Sequence, residues 1–262
     1  MARVLLPLPD RDFDVTEVAV PWHVLSEAGH EVVFATEAGA TPAADPLLLT
    51  GVLFGKLGAE PDAKALYARL EHDPRFVAPL RWADLRDDDF DALLLAGGHA
   101  KGMRQYLGSE LVQRLAARFF VADRPVAAIC HGPLVLARAT HPDTGVPVLR
   151  GRKSTCLPRY LERLAWWSTA WKLGDYYRTY PAYVEEELRA ALGDEGTFVR
   201  GPLVVSARGT ETDDRAAFVV EDGAYVSARW PGDAWRFART FADRLHAPLT
   251  RENVTASSPS IA

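Results

Sequence analysis

The stretch Ala127-Ala128-Ile129-Cys130-His131-Gly132-Pro133 decides how this chain is read. An apolar strand over Pro125–Ile129 runs into a cysteine, a histidine and a glycine, and a helix over Gly132–Ala139 follows. Such a strand-to-helix turn strains a nucleophile and presents it at the carboxyl edge of a sheet, where open α/β sheets place ligands. The sulfur would lie near a helix N-terminus. Positive partial charge there favours thiolate and lowers a pKa that is about 8.5 in free cysteine. Gly132 gives room for the turn. A lone buried Cys is usually structural; the His-Gly-Pro context and the strand before it favour a reactive thiol.

Outward from this turn, strands and helices alternate. Val4–Leu8 is a short apolar run suited to a buried strand. Residues 9–12 form a turn cluster, and Thr16 to Ala28 carries Val18, Val20, Val24 and Leu25 at helical spacing with Gly29 as its stop. Glu31–Thr36 is the next strand. Gly39 to Glu60 is loop-like, and Pro61–Glu71 a short helix with proline at its start. Asp91–Ala96 is another buried strand. Ser109 to Ala122 is a helix capped by Ser109, with Leu111, Leu115 and Phe119 on one face. This order predicts an α/β fold with a mostly parallel sheet covered by helices on both faces. Later, Ser154–Cys156 reads as a strand, and Tyr160–Leu173 and Tyr183–Leu192 as helices. Leu203–Ala207, Ala217–Val220 and Ala224–Ala228 are strands, the last two joined by the hairpin signal Glu221-Asp222-Gly223. Asp233–Leu245 is a closing amphipathic helix. Residues 1–248 are expected to form one domain and 249–262 a frayed tail.

Composition narrows the function classes. A chain of 262 residues with 48% hydrophobic and 25% charged residues is globular and needs no disulfide staple. The net charge of −5 and the absence of a basic stripe argue against nucleic acid as a partner. Apolar stretches are broken too early to span a membrane, and the start does not read as a secretory signal. With Cys130 and Cys156 as its only cysteines, the chain reads as cytoplasmic with free thiols.

Two further stretches join Cys130. Leu95-Ala96-Gly97-Gly98-His99-Ala100 ends a strand in two glycines, whose bare amides can face a developing oxyanion; His99 itself reads as structural. Glu17 lies in the first helix after the first strand, at the same sheet edge. Desolvation there would keep it protonated, or it would share a proton with the thiol. The seven histidines lack metal-ligand spacing, so no metal site is expected, and no dinucleotide or Walker glycine motif occurs.

Glu17, Val32-Val33-Phe34-Ala35-Thr36, Ala43-Ala44-Asp45-Pro46, Leu95-Ala96-Gly97-Gly98-His99 and Ala128-Ile129-Cys130-His131-Gly132-Pro133 occur in the order seen in the ThiJ/PfpI superfamily. The chain resembles that superfamily over about residues 3–247, nearest its chaperone and glyoxalase III branch. The resemblance implies a flavodoxin-like sheet sandwiched by helices, with a C-terminal β-hairpin and helix. It implies Cys130 as nucleophile, His131 as its partner, Glu17 as the carboxylate at the sulfur, and Gly98 and His131, with neighbouring Gly97, as oxyanion donors. In that branch an acid downstream completes a triad; Glu162 is similar in position, with Asp175 and Glu185 as rivals. The aromatic run Trp166-Trp167-Ser168-Thr169-Ala170-Trp171 departs from the branch. It is either core or a pocket wall, with Trp167 and Trp22 as candidate substrate contacts. The expectation is a cofactor-free, cytoplasmic, homodimeric thiol enzyme converting a small reactive carbonyl compound into a hydroxy acid. A different thiol hydratase or hydrolase, such as one acting on isonitriles, and a redox sensor or chaperone without turnover are the alternatives.

Overall fold

The computed structural model describes residues 1–203 and 207–246. Its centre is a seven-stranded sheet. In chain order the strands are β1 (Arg3–Pro7), β2 (Glu31–Thr36), β3 (Leu80–Arg81), β4 (Ala92–Leu95), β5 (Val126–Ile129), β6 (Val219–Asp222) and β7 (Tyr225–Ala228). Across the sheet they run β6-β7-β5-β4-β1-β2-β3, all parallel except the β6–β7 hairpin. The inner strands are uniformly apolar because neither face meets water: Val4 to Leu6, Ala92 to Leu95 and Ala127 to Ile129 are fully buried. One layer joins α1 (Val15–Glu27) to α2 (Pro61–Leu70) and to the last helix, α7 (Ala234–His246). The other joins α3 (Glu110–Val121), α4 (Pro133–Arg138) and α6 (Val184–Leu192), while α5 (Arg159–Leu173) abuts α6. The chain thus has the mixed α/β fold that the alternating pattern predicts. Among the described residues no helix is long and apolar enough to cross a membrane.

Differences from the sequence reading are local. The expected strand at Ser154–Cys156 is the pair Lys153–Ser154 with Thr197–Phe198. The stretch 39–60 contains Ala43–Ala44, paired with Arg11–Phe13, and a short helix, Pro46–Thr50, capped by Asp45. Edge strand β3 carries too little apolar sequence to be seen. Most of the expected strand Leu203–Ala207, and the tail after 248, lie outside the described residues.

The connection β5–α4 is the sharpest point in the fold. Cys130 takes φ of 61°, a left-handed conformation costing a non-glycine residue about 1–3 kcal/mol. Neighbouring backbone holds it there. Its N–H donates to Ala228 (3.1 Å), and its carbonyl accepts from the Leu157 N–H (3.0 Å). The Gly132 N–H donates to Ile129 (2.8 Å). A Cβ on Gly132 would lie 2.1 Å from the Leu95 carbonyl oxygen, so β4 and the elbow touch backbone to backbone. Gly132→Ala is therefore expected to cost about 3 kcal/mol in urea unfolding. Gly145→Ala, in open space at φ 69°, is expected to cost about 1 kcal/mol. Equal costs would show that this close approach carries no weight.

Candidate active site

Glu17 reaches the elbow because α1 starts beside it. Asp14 caps the helix, its Oδ1 accepting from the N–H groups of Thr16 (2.8 Å) and Glu17 (3.1 Å), and its own N–H donates to the Gly97 carbonyl (2.9 Å). Glu17 Oε2 then accepts from the Gly97 N–H at 2.9 Å. A Cβ on Gly97 would stand 2.7 Å from Glu17 Oε2, 2.7 Å from the His131 nitrogen and 2.9 Å from Cys130 Cβ. Only glycine fits where carboxylate, amide and nucleophile converge. Gly97 spends its amide on Glu17, which corrects its expected oxyanion role. The His131 N–H faces the Cys130 sulfur, and a Cβ on Gly98 would lie 2.8 Å from the Asp12 carbonyl oxygen.

His131 is placed by a residue the sequence reading missed. Its Nδ1 lies 3.5 Å from Cys130 Sγ, and its Nε2 lies 3.2 Å from Thr179 Oγ1. The Thr179 hydroxyl proton goes to the His99 carbonyl at 2.6 Å, so its oxygen accepts from Nε2–H. Nδ1 is thereby left bare, facing the thiol. Thr179 follows Cys130 at a distance in the irregular segment after α5, where no motif marks it. The same segment is pinned by Tyr176 and Tyr177, whose hydroxyls each donate to Asp45 at 3.0 Å.

The expected triad acid is not at His131. Glu162 Oε2 accepts from the Val184 N–H (3.0 Å), and its other oxygen lies 3.6 Å from Arg178 Nη1. It ties α5 to α6, and burial pushes its carboxyl up to about 7. Asp175 accepts from the Trp166 indole, and Glu185 binds Arg189 and Arg200. None of the three acids is hydrogen-bonded to the imidazole. Trp22 is also misplaced by the sequence reading: it is buried in the core, its indole donating to Asp73 (3.2 Å).

A cavity of about 410 Å³ is lined by Asp14, His99, Tyr177 and Arg208, with leucines from α5; His99 and Asp14 join it to the Cys130 site, whose sulfur is fully buried. Helical geometry sorts α5. Leu161, Leu164, Ala165 and Ser168 fall on one stripe and face the cavity. Trp167 and Trp171 do not line it and are 65% and 67% exposed, so Trp167 is not a contact in this cavity. It lines a separate cleft with Tyr160, Arg163 and Arg200.

Burial favours the neutral form of each titratable group in the site. It pushes Glu17 well above the ordinary carboxyl range, reinforced by Asp14, and pushes Asp14 to about 6. It holds His131 well below the usual imidazole range and His99 at about 4. The Cys130 thiol is also pushed up, by burial first and then by Glu17. The expectation of a thiol lowered by the helix end is thus corrected: only the His131 N–H pulls it down, and desolvation of the fully buried sulfur outweighs it. Cys130, His131 and His99 also bring three metal-competent donors within 4.8 Å of one another.

A parallel sheet with a strained cysteine elbow, flanked by an imidazole and a buried carboxyl, defines a class of thiol-centred α/β proteins. Residues 8–202 match the family described as ThiJ/PfpI family-like, and the chain belongs to that family. It is 28% identical over 241 residues, 92% of this chain and 98% of the relative, to the deglycase PfpI of Pyrococcus furiosus. Identity is 30% over 171 residues, 63% of this chain and 62% of the relative, with a protein of Schizosaccharomyces pombe. Glyoxalase 3 of Candida albicans matches at 25% over 143 residues, 54% of this chain and 58% of the enzyme. A solved glyoxalase III from that organism superposes with a TM-score of 0.63 at 22% identity, covering 93% of this chain and 97% of the other. At that identity, the likeness speaks for the fold.

Two outcomes test the site. Thr179→Val is expected to slow iodoacetamide labelling of Cys130 several-fold, because the imidazole tautomer is no longer fixed. Glu162→Ala should leave that rate unchanged and lower stability by about 1–3 kcal/mol, the cost of an unpaired Val184 amide. The reverse pattern would restore Glu162 as the acid. Asp14 gives the second. Its folded pKa is raised, so its contribution is fully present below 3.8 and is lost as pH rises through about 6. Asp14→Asn keeps a good cap and cannot ionise. Its melting temperature should therefore gain on the unsubstituted protein between pH 4 and 6; a constant difference would refute the shift.

Proposed function

We propose that the protein is a cysteine-dependent enzyme converting an α-oxoaldehyde into the corresponding 2-hydroxy acid without a cofactor. The observation that carries this reading is the bare Nδ1 of His131 at 3.5 Å from Cys130 Sγ. A neutral imidazole with a fixed tautomer can take the proton of a high-pKa thiol at the moment of attack, so no resting thiolate is needed. The sulfur adds to the aldehyde carbon to give a hemithioacetal. Glu17 or His131 moves the aldehyde hydrogen to the neighbouring carbon, which becomes the hydroxyl-bearing carbon, and the intermediate becomes a thioester. Water cleaves the thioester and returns the thiol. The sum is substrate plus water, with one carbon oxidised and its neighbour reduced. In this reading the amides of His131 and Gly98 hold the oxyanion. The relatives named glyoxalase 3 and deglycase support carbonyl chemistry.

The cavity argues for more than the smallest substrates. Leu48, Val52, Leu157, Leu161 and Leu164 line it, and apolar walls gain from an apolar substituent on the ketone. Phenylglyoxal is therefore expected to show a lower KM than methylglyoxal. Cys130→Ser should abolish hydroxy-acid formation. Glu17→Gln should fold normally and lower kcat by about 100-fold, the usual size for a lost acid–base group. Full activity in either variant, or no turnover of either aldehyde, would refute the reading.

A further inference from the structure

Two histidines in the site have their outer nitrogens tied down and their inner nitrogens free. His131 gives its Nε2 proton to Thr179, leaving Nδ1 bare at 3.5 Å from the sulfur. His99 lies edge-on to it, with ring centroids 4.8 Å apart. A ring N–H of His99 donates to the Tyr177 backbone, while its Nδ1 is buried without a partner. Nε2 therefore makes the Tyr177 bond, and Nδ1 carries an unused lone pair. Anchoring the outer N–H of an imidazole on a carbonyl or hydroxyl is how proteins orient metal-ligating histidines. Neither histidine shows ligand spacing along the chain, because the two arrive from the ends of neighbouring strands β4 and β5.

We propose that Cys130, His99 and His131 form a three-donor site for zinc, and that zinc bound there silences the thiol. One sulfur and two imidazoles make a tetrahedral zinc set with its fourth position open. His99 alone of the three lines the cavity, so the ion and a fourth ligand, such as water, would enter past its ring. Zinc spaces such donors about 3.4 Å apart, and the Cys130–His131 pair already stands at 3.5 Å. All three donors lie within 4.8 Å of one another, and binding would draw His99 in toward the Cys130–His131 pair. Zinc takes imidazole through a ring nitrogen lone pair and cysteine as thiolate, so the ion displaces the thiol proton. That S–H bond breaks, the proton leaves to water, and the sulfur lone pair forms the Zn–S bond with no change of oxidation state. The silencing rests on the proposed thiol chemistry, because the same sulfur and the same Nδ1 would be occupied.

Cobalt(II) serves as a coloured probe for zinc. Titration of the reduced, full-length protein is expected to give one bound ion, a thiolate-to-cobalt charge-transfer band and the visible bands of a tetrahedral site, all bleached by zinc. Cys130→Ser should lose the charge-transfer band, and His99→Gln should weaken binding about 10-fold or more. Cys156→Ser should change neither. In the unsubstituted protein, one equivalent of zinc should protect Cys130 from iodoacetamide in peptide mass spectra, and a chelator should restore labelling. A band that survives in Cys130→Ser, a band lost with Cys156, or zinc that leaves Cys130 labelling untouched overturns the proposal. Zinc protection with no aldehyde turnover in metal-free protein upholds the site and refutes the enzymatic reading. Turnover without zinc binding does the opposite.

Discussion

The left-handed backbone at Cys130 is the constraint around which the rest of the molecule is arranged. A non-glycine residue does not hold φ of 61° unless its surroundings fix it. Here β7 takes its N–H through Ala228, the segment before α5 supplies the Leu157 amide, and β4 presses against Gly132. Strand β7 is itself anchored just beyond Ala228, where fully buried Arg229 and Asp233 pair at 2.9 Å. The strain is thus distributed over three elements that are far apart in the chain, and it points one sulfur toward Glu17 and His131. The close approach at Gly97 follows from the same crowding. Carboxylate, amide and sulfur can meet only where one strand end has no side chain.

Burial then sets the chemistry. In water a glutamic acid, a thiol and two histidines would carry mixed charge near neutral pH. At this depth each prefers its neutral form, so protons sit on Glu17 and Cys130 and are absent from the inner nitrogens. Groups held neutral cost little in a dry interior. Reactivity comes from proximity: a donor and an acceptor held 3.5 Å apart can exchange a proton when an electrophile arrives. This differs from a cysteine activated in advance by a helix end. The Cys130 elbow has the helix start, but α4 begins at Pro133 and spans only Pro133–Arg138, too short for its dipole to offset full desolvation.

Much of this was legible in the chain because it is local. Runs such as Ala92–Leu95 have no polar interruption, and that marks a strand buried on both faces. The Cys-His-Gly-Pro text carries its own turn. Glu17 was legible through its place in the first helix. Thr179 was not, because its role depends on Asp45 catching Tyr176 and Tyr177 from across the molecule. Glu162 misled for a related reason. Its position beyond the cysteine suits a triad, but α5 turns that side chain toward Val184 and Arg178. Separation along the chain constrains reach and says nothing about the side of a helix a residue occupies.

Helix α5 shows the same limit from the opposite direction. Its tryptophans and leucines lie on adjoining faces, with Leu164 and Trp171 about 20° apart around the axis, and such a sequence invites the larger residues into the pocket. The structure gives the pocket to the leucines, because Leu161 and Leu164 share a stripe with Ala165 and Ser168, whose small side chains leave open volume. Trp167 and Trp171 line none of it. Turned outward, they stand over Arg163 and Phe54, at 5.2 Å and 6.3 Å between the interacting groups. The residues that define the cavity beside His99 are therefore the small and aliphatic ones, and the cavity stays open because the bulky Trp167 and Trp171 side chains lie outside it.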